Sequence, residues 1–344
     1  MNLRLRPACL GPGDALSVAC MSWNNRPIGY VGISKLTGYD DPDMVFGAIR
    51  DAVRHVGPLA SLIPPNADII VKPNFVAAAP AAAAATTHPA VIAAAVRLAV
   101  EAGARRVRIA DTPAFGSAKR AARVLNLAAY LGDLDVEVCD MTTPRVVRGG
   151  LNNGCFTKLH MAQDVLDCDF VLNLPKIKAH GQMVFTGAVK NLFGCVPGRR
   201  KALMHCQVGN SRAVFGRMLV DVARVVQPAL HIADGVIAME GQGPRKGDPR
   251  PWGWILASNN PFALDHIAAS ALGYELDEVP TLTAAKELGV FDSELDEVRV
   301  LGATPVELQL DGWRKAQPIP VTFNPFRLAR GYVRHQWLMR REPS

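Results

Sequence analysis

Short cysteine spacings, a glycine-rich nucleotide turn and a long apolar run are all missing from these 344 residues. The seven cysteines (Cys9, Cys20, Cys139, Cys155, Cys168, Cys195 and Cys206) never come closer than eleven positions, so there is no CxxC pair. Zinc and cluster sites are usually built on such short spacings, which disfavours a local iron–sulfur or zinc centre. Scattered thiols suit a reducing cytoplasm. The chain also lacks GxGxxG and GxxxxGK[ST], which argues against dinucleotide hydride transfer and against a P-loop. Aromatic residues make up 6%, and no stretch interleaves them with Lys or Arg, so a nucleic-acid surface is not expected. The net charge of +7 is concentrated, because residues 325–344 carry five Arg against one Glu. The alanine-rich stretch from Val76 to Ala85 is cut by Thr86, Thr87, His88 and Pro89 before it reaches the roughly 18 apolar residues a transmembrane helix needs. At the start, Pro7, Gly11, Pro12 and Gly13 interrupt the apolar stretch too early for a secretory leader, so the N-terminus reads as unprocessed.

What is present is a buried-core composition, 49% apolar, with strands and helices in alternation. A strand near Gly32, a helix from Pro42 to Val56, ADIIVKPN (67–74), a helix opened by Pro89, RVRIAD (106–111), a helix over 118–131 and VEVCD (136–140) form a first βα series. A Gly- and Thr-rich segment, 142–158, suggests a hairpin or a crossing. FVLNLP (170–175), a helix near Thr186, a helix over 214–226, ALHIAD (229–234), WGWILAS (252–258) and a helix from Pro261 to Leu272 repeat the rhythm. The expectation is an α/β fold with a mainly parallel sheet flanked by helices, open to division into two Rossmann-like lobes with a cleft between them. Residues 1–30 read as a variable lead-in, 31–310 as the α/β domain (lobes 31–165 and 166–310), and 311–344 as a basic amphipathic tail. In that tail Phe326, Ala329, Val333 and Trp337 share one helical face, a candidate partner or homo-oligomer contact.

The most informative stretch follows Phe170. Lys176, Lys178 and His180 are spaced i, i+2, i+4, which in extended backbone makes one row. Lys190, Asn191, Lys201 and His205 follow closely. Ligands of open parallel sheets bind beyond the carboxyl ends of the strands, and these strands end in Lys72 and Asn74, in Asp111, in the Lys176 row and in Asp234. One shared cleft explains that pattern better than separate helix caps. Thr87 and His88 stand at a helix start and read equally as caps or as donors to an anion. Thr186 and Lys190 are spaced to share one helical face. The glycine- and proline-rich run 234–250 reads as an active-site loop carrying Glu240, and Asp265 as a buried carboxylate whose natural partners are the lysines.

These motifs are the ones that carry a resemblance. VKPN ending at Asn74, THP at 87–89, the Asp111 strand end, NLPKIKAHG (173–181), TGAVKNLFG (186–194), Lys201 with His205, AD (233–234), MEGQGP (239–244) and Asp265 together resemble the DUF362 family over about residues 30–275. Many relatives look like iron–sulfur proteins through an added ferredoxin-like cysteine module, which is lacking here. A fainter likeness is to lactate racemase-type enzymes.

The leading expectation is a cytoplasmic enzyme that acts on a small anionic substrate or cofactor, carboxylate or phosphate. Lys72, Asn74, Thr87, His88, Asp111, Lys176, Thr186, Asn191, Lys201, Asp234 and Asp265 would bind it. His180, Lys178, Lys190, His205 and Glu240 would carry proton or group transfer. Crowded lysines depress one another's pKa, so one could act as base or Schiff-base nucleophile. A divalent metal held by some of His88, His180, His205, Asp111, Asp234 and Glu240 is compatible with these donor types. The alternatives are a redox accessory protein that handles a cofactor or an iron–sulfur partner, and a non-catalytic binding module.

Overall fold

The computed structural model describes residues 16–17, 29–148, 156–198, 200–292 and 297–322. Ten strands form one sheet, whose main path runs Val298–Leu301, Gly29–Lys35, Asp248–Ser258, Leu230–Glu240, Phe170–Leu174, Asp68–Pro73, Arg106–Asp111 and Glu137–Asp140. The last five of these strands are mutually parallel; antiparallel pairs are made within the Leu230–Ser258 hairpin, by Asp248–Ser258 with Gly29–Lys35, and by Lys176–His180 with Val184–Thr186. The mixed α/β architecture with a mostly parallel sheet is therefore as the sequence pattern implied. Strands from 31–165 and from 166–310 lie in this same sheet.

Helices cover both faces, which is why the central strands are apolar at successive positions. Ile69, Val71, Leu172 and Leu174 pack on one side with the helices Pro42–Val56 and Pro89–Glu101. Their alternates Ile70 and Val171 pack on the other, with Arg212–Val226 and Pro261–Ala271. The first helix starts where Asp41 accepts hydrogen bonds from the amides of Asp43 and Met44, with Pro42 in the first turn.

The chain departs from the sequence pattern in three places. The helix anticipated over 118–131 is two short ones, Ala118–Val124 and Leu127–Leu131, because Asn126 adopts a left-handed conformation (φ 51°) between them. The anticipated loop 234–250 is mostly ladder: strands Leu230–Glu240 and Asp248–Ser258 pair as far as Glu240 with Asp248, leaving only 241–247 as the turn. Glycine and proline in that run mark a bulged, strongly bent hairpin, since the register shifts between Gly235 and Ile237. Finally, 313–321 is an extended strap over the body. Gly241 donates to the Arg314 carbonyl (2.7 Å), and Ile319 donates to the Gly181 carbonyl (2.9 Å). The amphipathic segment 325–341 lies outside the described residues. The segment 142–158 contributes a hairpin arm, with Pro144–Arg148 antiparallel to Lys158–Ala162.

Candidate anion-binding site

Parallel pairing brings Lys72, Asn173 and His231 into one register row across three adjacent strands. Pro175 then breaks the Phe170 strand, and the chain resumes as Lys176–His180, which pairs with Leu230–Glu240. Lys176, Lys178 and His180 are thus carried beyond the sheet's carboxyl edge. All three are buried.

Two lysines have carboxylate partners. Lys176 Nζ donates to Asp234 Oδ2 (2.8 Å) and to the Tyr39 hydroxyl (3.0 Å). Tyr39 in turn donates to Asp234 Oδ1 (2.6 Å), and the His88 amide donates to Oδ2 (2.9 Å). The His88 ring stacks flat on Tyr39 (3.6 Å between centroids, 7°), while its Nδ1 accepts from the Ala90 amide (3.3 Å), closing the helix start. Burial, then the charge of Lys176, holds His88 neutral with a pKa of about 4. Burial and the charge of Asp234 push the Tyr39 phenol well above its ordinary value. At the other pair Lys72 Nζ donates to Asp111 Oδ1 (2.8 Å), whose Oδ2 accepts from the Phe75 amide (2.8 Å). This pair sits directly against Gly194, where any Cβ would collide with Asp111 Oδ1 and Lys72 Nζ.

Three lysines, Lys178, Lys190 and Lys201, have no carboxylate in hydrogen-bond contact among the described residues. Lys178 Nζ donates to Asn74 Oδ1 (2.5 Å) and the Ala85 carbonyl (2.8 Å). Lys201 Nζ donates to the Thr112 carbonyl. Lys190 makes no hydrogen bond or ion pair among the described residues, and the residue as a whole is half-buried. Burial alone brings Lys190 down to about 8. Burial brings Lys201 to the same level, offset in part by Asp111. For Lys178 burial and the charges of Lys190 and Lys176 lower the pKa further still. Like charges repel more strongly where water is scarce, so this end of the cluster gains from a bound anion.

The amides around Lys178 form a directed chain. Asn74 Nδ2 donates to Asn191 Oδ1 (2.7 Å), Asn191 Nδ2 to Asn173 Oδ1 (2.8 Å), and Asn173 Nδ2 meets His231 Nδ1 (2.9 Å). Every oxygen in the chain faces back towards the lysine. Thr87 accepts from the Asn74 amide (2.9 Å) and donates to the Leu174 carbonyl (2.7 Å), so its hydroxyl fixes the strand ends.

The two histidines take opposite tautomers. His180 Nδ1 accepts from the amides of Gln182 (3.0 Å) and Met183 (3.2 Å), which leaves Nε2–H as the donor. Burial and the charges of Lys190 and Lys178 keep that ring neutral. His205 Nδ1 lies 3.0 Å from the Val321 carbonyl and must donate to it, so its Nε2 is the acceptor nitrogen. Burial holds His205 at about 4.

Three anticipated residues stand apart from the lysines. Asp265 accepts from the amides of Ala188 (2.5 Å) and Val189 (3.1 Å), closing the turn that presents Lys190 and Asn191. Burial raises it to about 7 against those two bonds. Glu240 is engaged by Arg314, through the backbone amide (3.1 Å) and Nε (2.8 Å), and so secures the strap. Thr186 ends the Val184–Thr186 strand, with the helix starting only at Ala188; its hydroxyl is buried without a hydrogen-bond partner among the described residues. Among the described residues no three His, Cys, Asp or Glu side chains group as metal ligands. Asp111 and Asp234 face lysines, and Glu240 faces Arg314. Cys9, Cys20 and Cys155 lie outside the described residues, and Cys195 is buried with its thiol pushed up to about 12. Sequence reasoning missed Tyr39, which lies in an irregular stretch with no periodic signal, and Gly194, whose requirement comes from a pair distant in sequence.

Fold and site together define an α/β protein with a lysine-rich centre at the carboxyl edge of its sheet. The chain belongs to the DUF362 family, a domain of unknown function, whose profile matches residues 69–270. A thylakoid-associated protein of Synechocystis sp. is 34% identical over 295 residues, spanning 86% of this chain and 90% of its own. Among solved structures, the lactate racemase apoprotein of Thermoanaerobacterium thermosaccharolyticum is similar at TM-score 0.38 and 12% identity, over 65% of this chain and 53% of its own. A Thermotoga maritima protein is similar at TM-score 0.38 and 10% identity, over 62% of this chain and 55% of its own. The chain thus spans little more than half of each solved structure. No helix among the described residues is long and apolar enough to cross a membrane.

Proposed function

We propose that this protein binds a small carboxylate- or phosphate-bearing molecule at Lys178, Lys190 and Lys201 and acts on it by proton transfer. The observation that carries the reading is Lys190: an ammonium among other cations that makes no hydrogen bond or ion pair among the described residues. A lysine retained only for packing would be cheaper as a neutral residue, because an unpaired charge in such surroundings costs stability. Lys190, near 8, is poised to give or take a proton close to working pH. His180 supplies a neutral N–H donor for a developing oxyanion, and His205 Nε2 an acceptor. Lys72–Asp111 and Lys176–Asp234 hold the frame. A cytoplasmic location belongs to this proposal too, on the scattered cysteines.

Titration calorimetry with oxalate and with inorganic phosphate tests it. Wild type should bind at least one of them, and Lys190→Met should weaken that binding about tenfold, close to 1.4 kcal/mol, with no loss of thermal stability. Failure of both anions to bind would sink the reading. Binding without deuterium uptake from heavy water by any of a panel of 2-oxo and 2-hydroxy acids would leave a binding module.

A further inference from the structure

We propose that Lys190 is a covalent nucleophile, and that the molecule taken here is a 2-oxo acid whose carbonyl carbon becomes bonded to Lys190 Nζ. The inference rests on the anion-binding reading of the same site and narrows it to one substrate class. Four neighbouring lysines are each held by a specific acceptor: Lys72 by Asp111, Lys176 by Asp234, Lys178 by Asn74 and the Ala85 carbonyl, Lys201 by the Thr112 carbonyl. Lys190 alone of these five has none among the described residues, and the residue is half-buried. Nothing there favours its charged form, and burial disfavours it. A lysine that gives up its proton near 8, with no acceptor to hold it and beside fixed cations, is the arrangement that imine formation needs. The fixed cations would take the carboxylate. His180 Nε2–H, whose orientation is set by two backbone amides on Nδ1, is the donor available to the carbonyl oxygen.

The chemistry balances without an outside reagent. The Nζ lone pair adds to the carbonyl carbon, the C=O bond is replaced by C=N, and both amine protons leave with the oxygen as water. The resulting imine draws electrons from the adjacent carbon and makes its C–H acidic.

Pyruvate with sodium cyanoborohydride provides the test, read by intact mass and peptide mapping. The expected result is a single reduced pyruvate adduct on Lys190. It should be suppressed by oxalate, lost in Lys190→Arg with an unchanged melting curve, and retained in Lys119→Arg on the surface. No adduct on wild type that binds oxalate by calorimetry would overturn the covalent step and leave the anion site standing. No adduct and no oxalate binding would remove both. An adduct that persists in Lys190→Arg, or that ignores oxalate, would equally refute the assignment.

Discussion

Two ends of one lysine cluster behave oppositely. At one end Lys72 and Lys176 each meet an aspartate at 2.8 Å, and backbone amides complete the coordination of both carboxylates. At the other, Lys178, Lys190 and Lys201 are surrounded by carbonyl oxygens, amides and one another. Residue type is the same, and Lys178 is as buried as Lys72 and Lys176, so the difference lies in partner charge. A compensated buried ammonium is scaffold. An uncompensated one stores a demand for a negative ligand, and the protein retains it at some cost to its own stability.

Removing the partner at the compensated end should break this contrast most severely. Asp234→Ala strands Lys176, the Tyr39 hydroxyl and the His88 amide together, and should cost about 3–5 kcal/mol in a denaturant midpoint at constant slope. Replacing both charges, Lys176→Met with Asp234→Leu, should recover the part of that loss due to the stranded ammonium, since a packed apolar pair commonly matches a buried ion pair, while the Tyr39 hydroxyl and His88 amide still lack Asp234. A single mutant within about 1 kcal/mol of wild type would show that the two ends are not different in kind.

Smaller effects belong to the uncompensated end, and their sign with pH is diagnostic. Lys190 and Lys201 titrate near 8 when folded, against about 10.4 when free. Between those values the unfolded chain binds more protons, so stability rises with pH across roughly 8 to 10. After allowance for solvent contact this is worth about 1–2 kcal/mol per lysine. Affinity for a singly charged anion should fall over the same range. At the acid side, His88 and His205 near 4 and His231 near 3 are neutral in the fold, so stability is lost as pH drops below about 6.5. Asp265, near 7, opposes that trend, because its folded form holds a proton the unfolded chain releases. Melting curves from pH 4 to 10 should therefore climb, flatten near neutrality and climb again. A Lys190→Met variant should lose part of the alkaline rise; an identical rise in that variant would mean Lys190 is charged throughout.

Much of this frame was legible in the residues, and the gaps have physical causes. The row Lys176, Lys178, His180 follows from a period of two in extended backbone, and it lies in one strand as spaced. Asp111 and Asp234 were visible as strand ends because a parallel sheet aligns its carboxyl edges. The choice of partner was not visible. Asp265 was expected against lysines but accepts from two amides 76 and 77 positions away, a pairing fixed only by helix packing. The Gly235–Glu240 ladder read as loop because bulged, twisted strands use the same glycine and proline that turns use. The strap 313–321 has neither period, so no local signal announced that it would seat on Gly181, Gln242 and His205.

That strap sets the boundary of the uncompensated end, and Glu240 is where the boundary is sharpest. Its carboxylate sits one residue beyond Met239, which pairs with Lys178 across the ladder, yet both oxygens are taken by Arg314. Glu240→Gln keeps shape and one acceptor but removes the charge that holds a mostly exposed guanidinium. The expected loss is small, because Arg314 retains Asp248 at 2.7 Å and solvent screens the pair. Amide exchange should quicken at Ile319 and Val321, whose N–H groups bind the Gly181 carbonyl and Asn210. Oxalate affinity should stay at the wild-type value. If affinity instead fell with the strap still protected, Glu240 would have to be counted with the lysines, and the cluster would carry a third carboxylate.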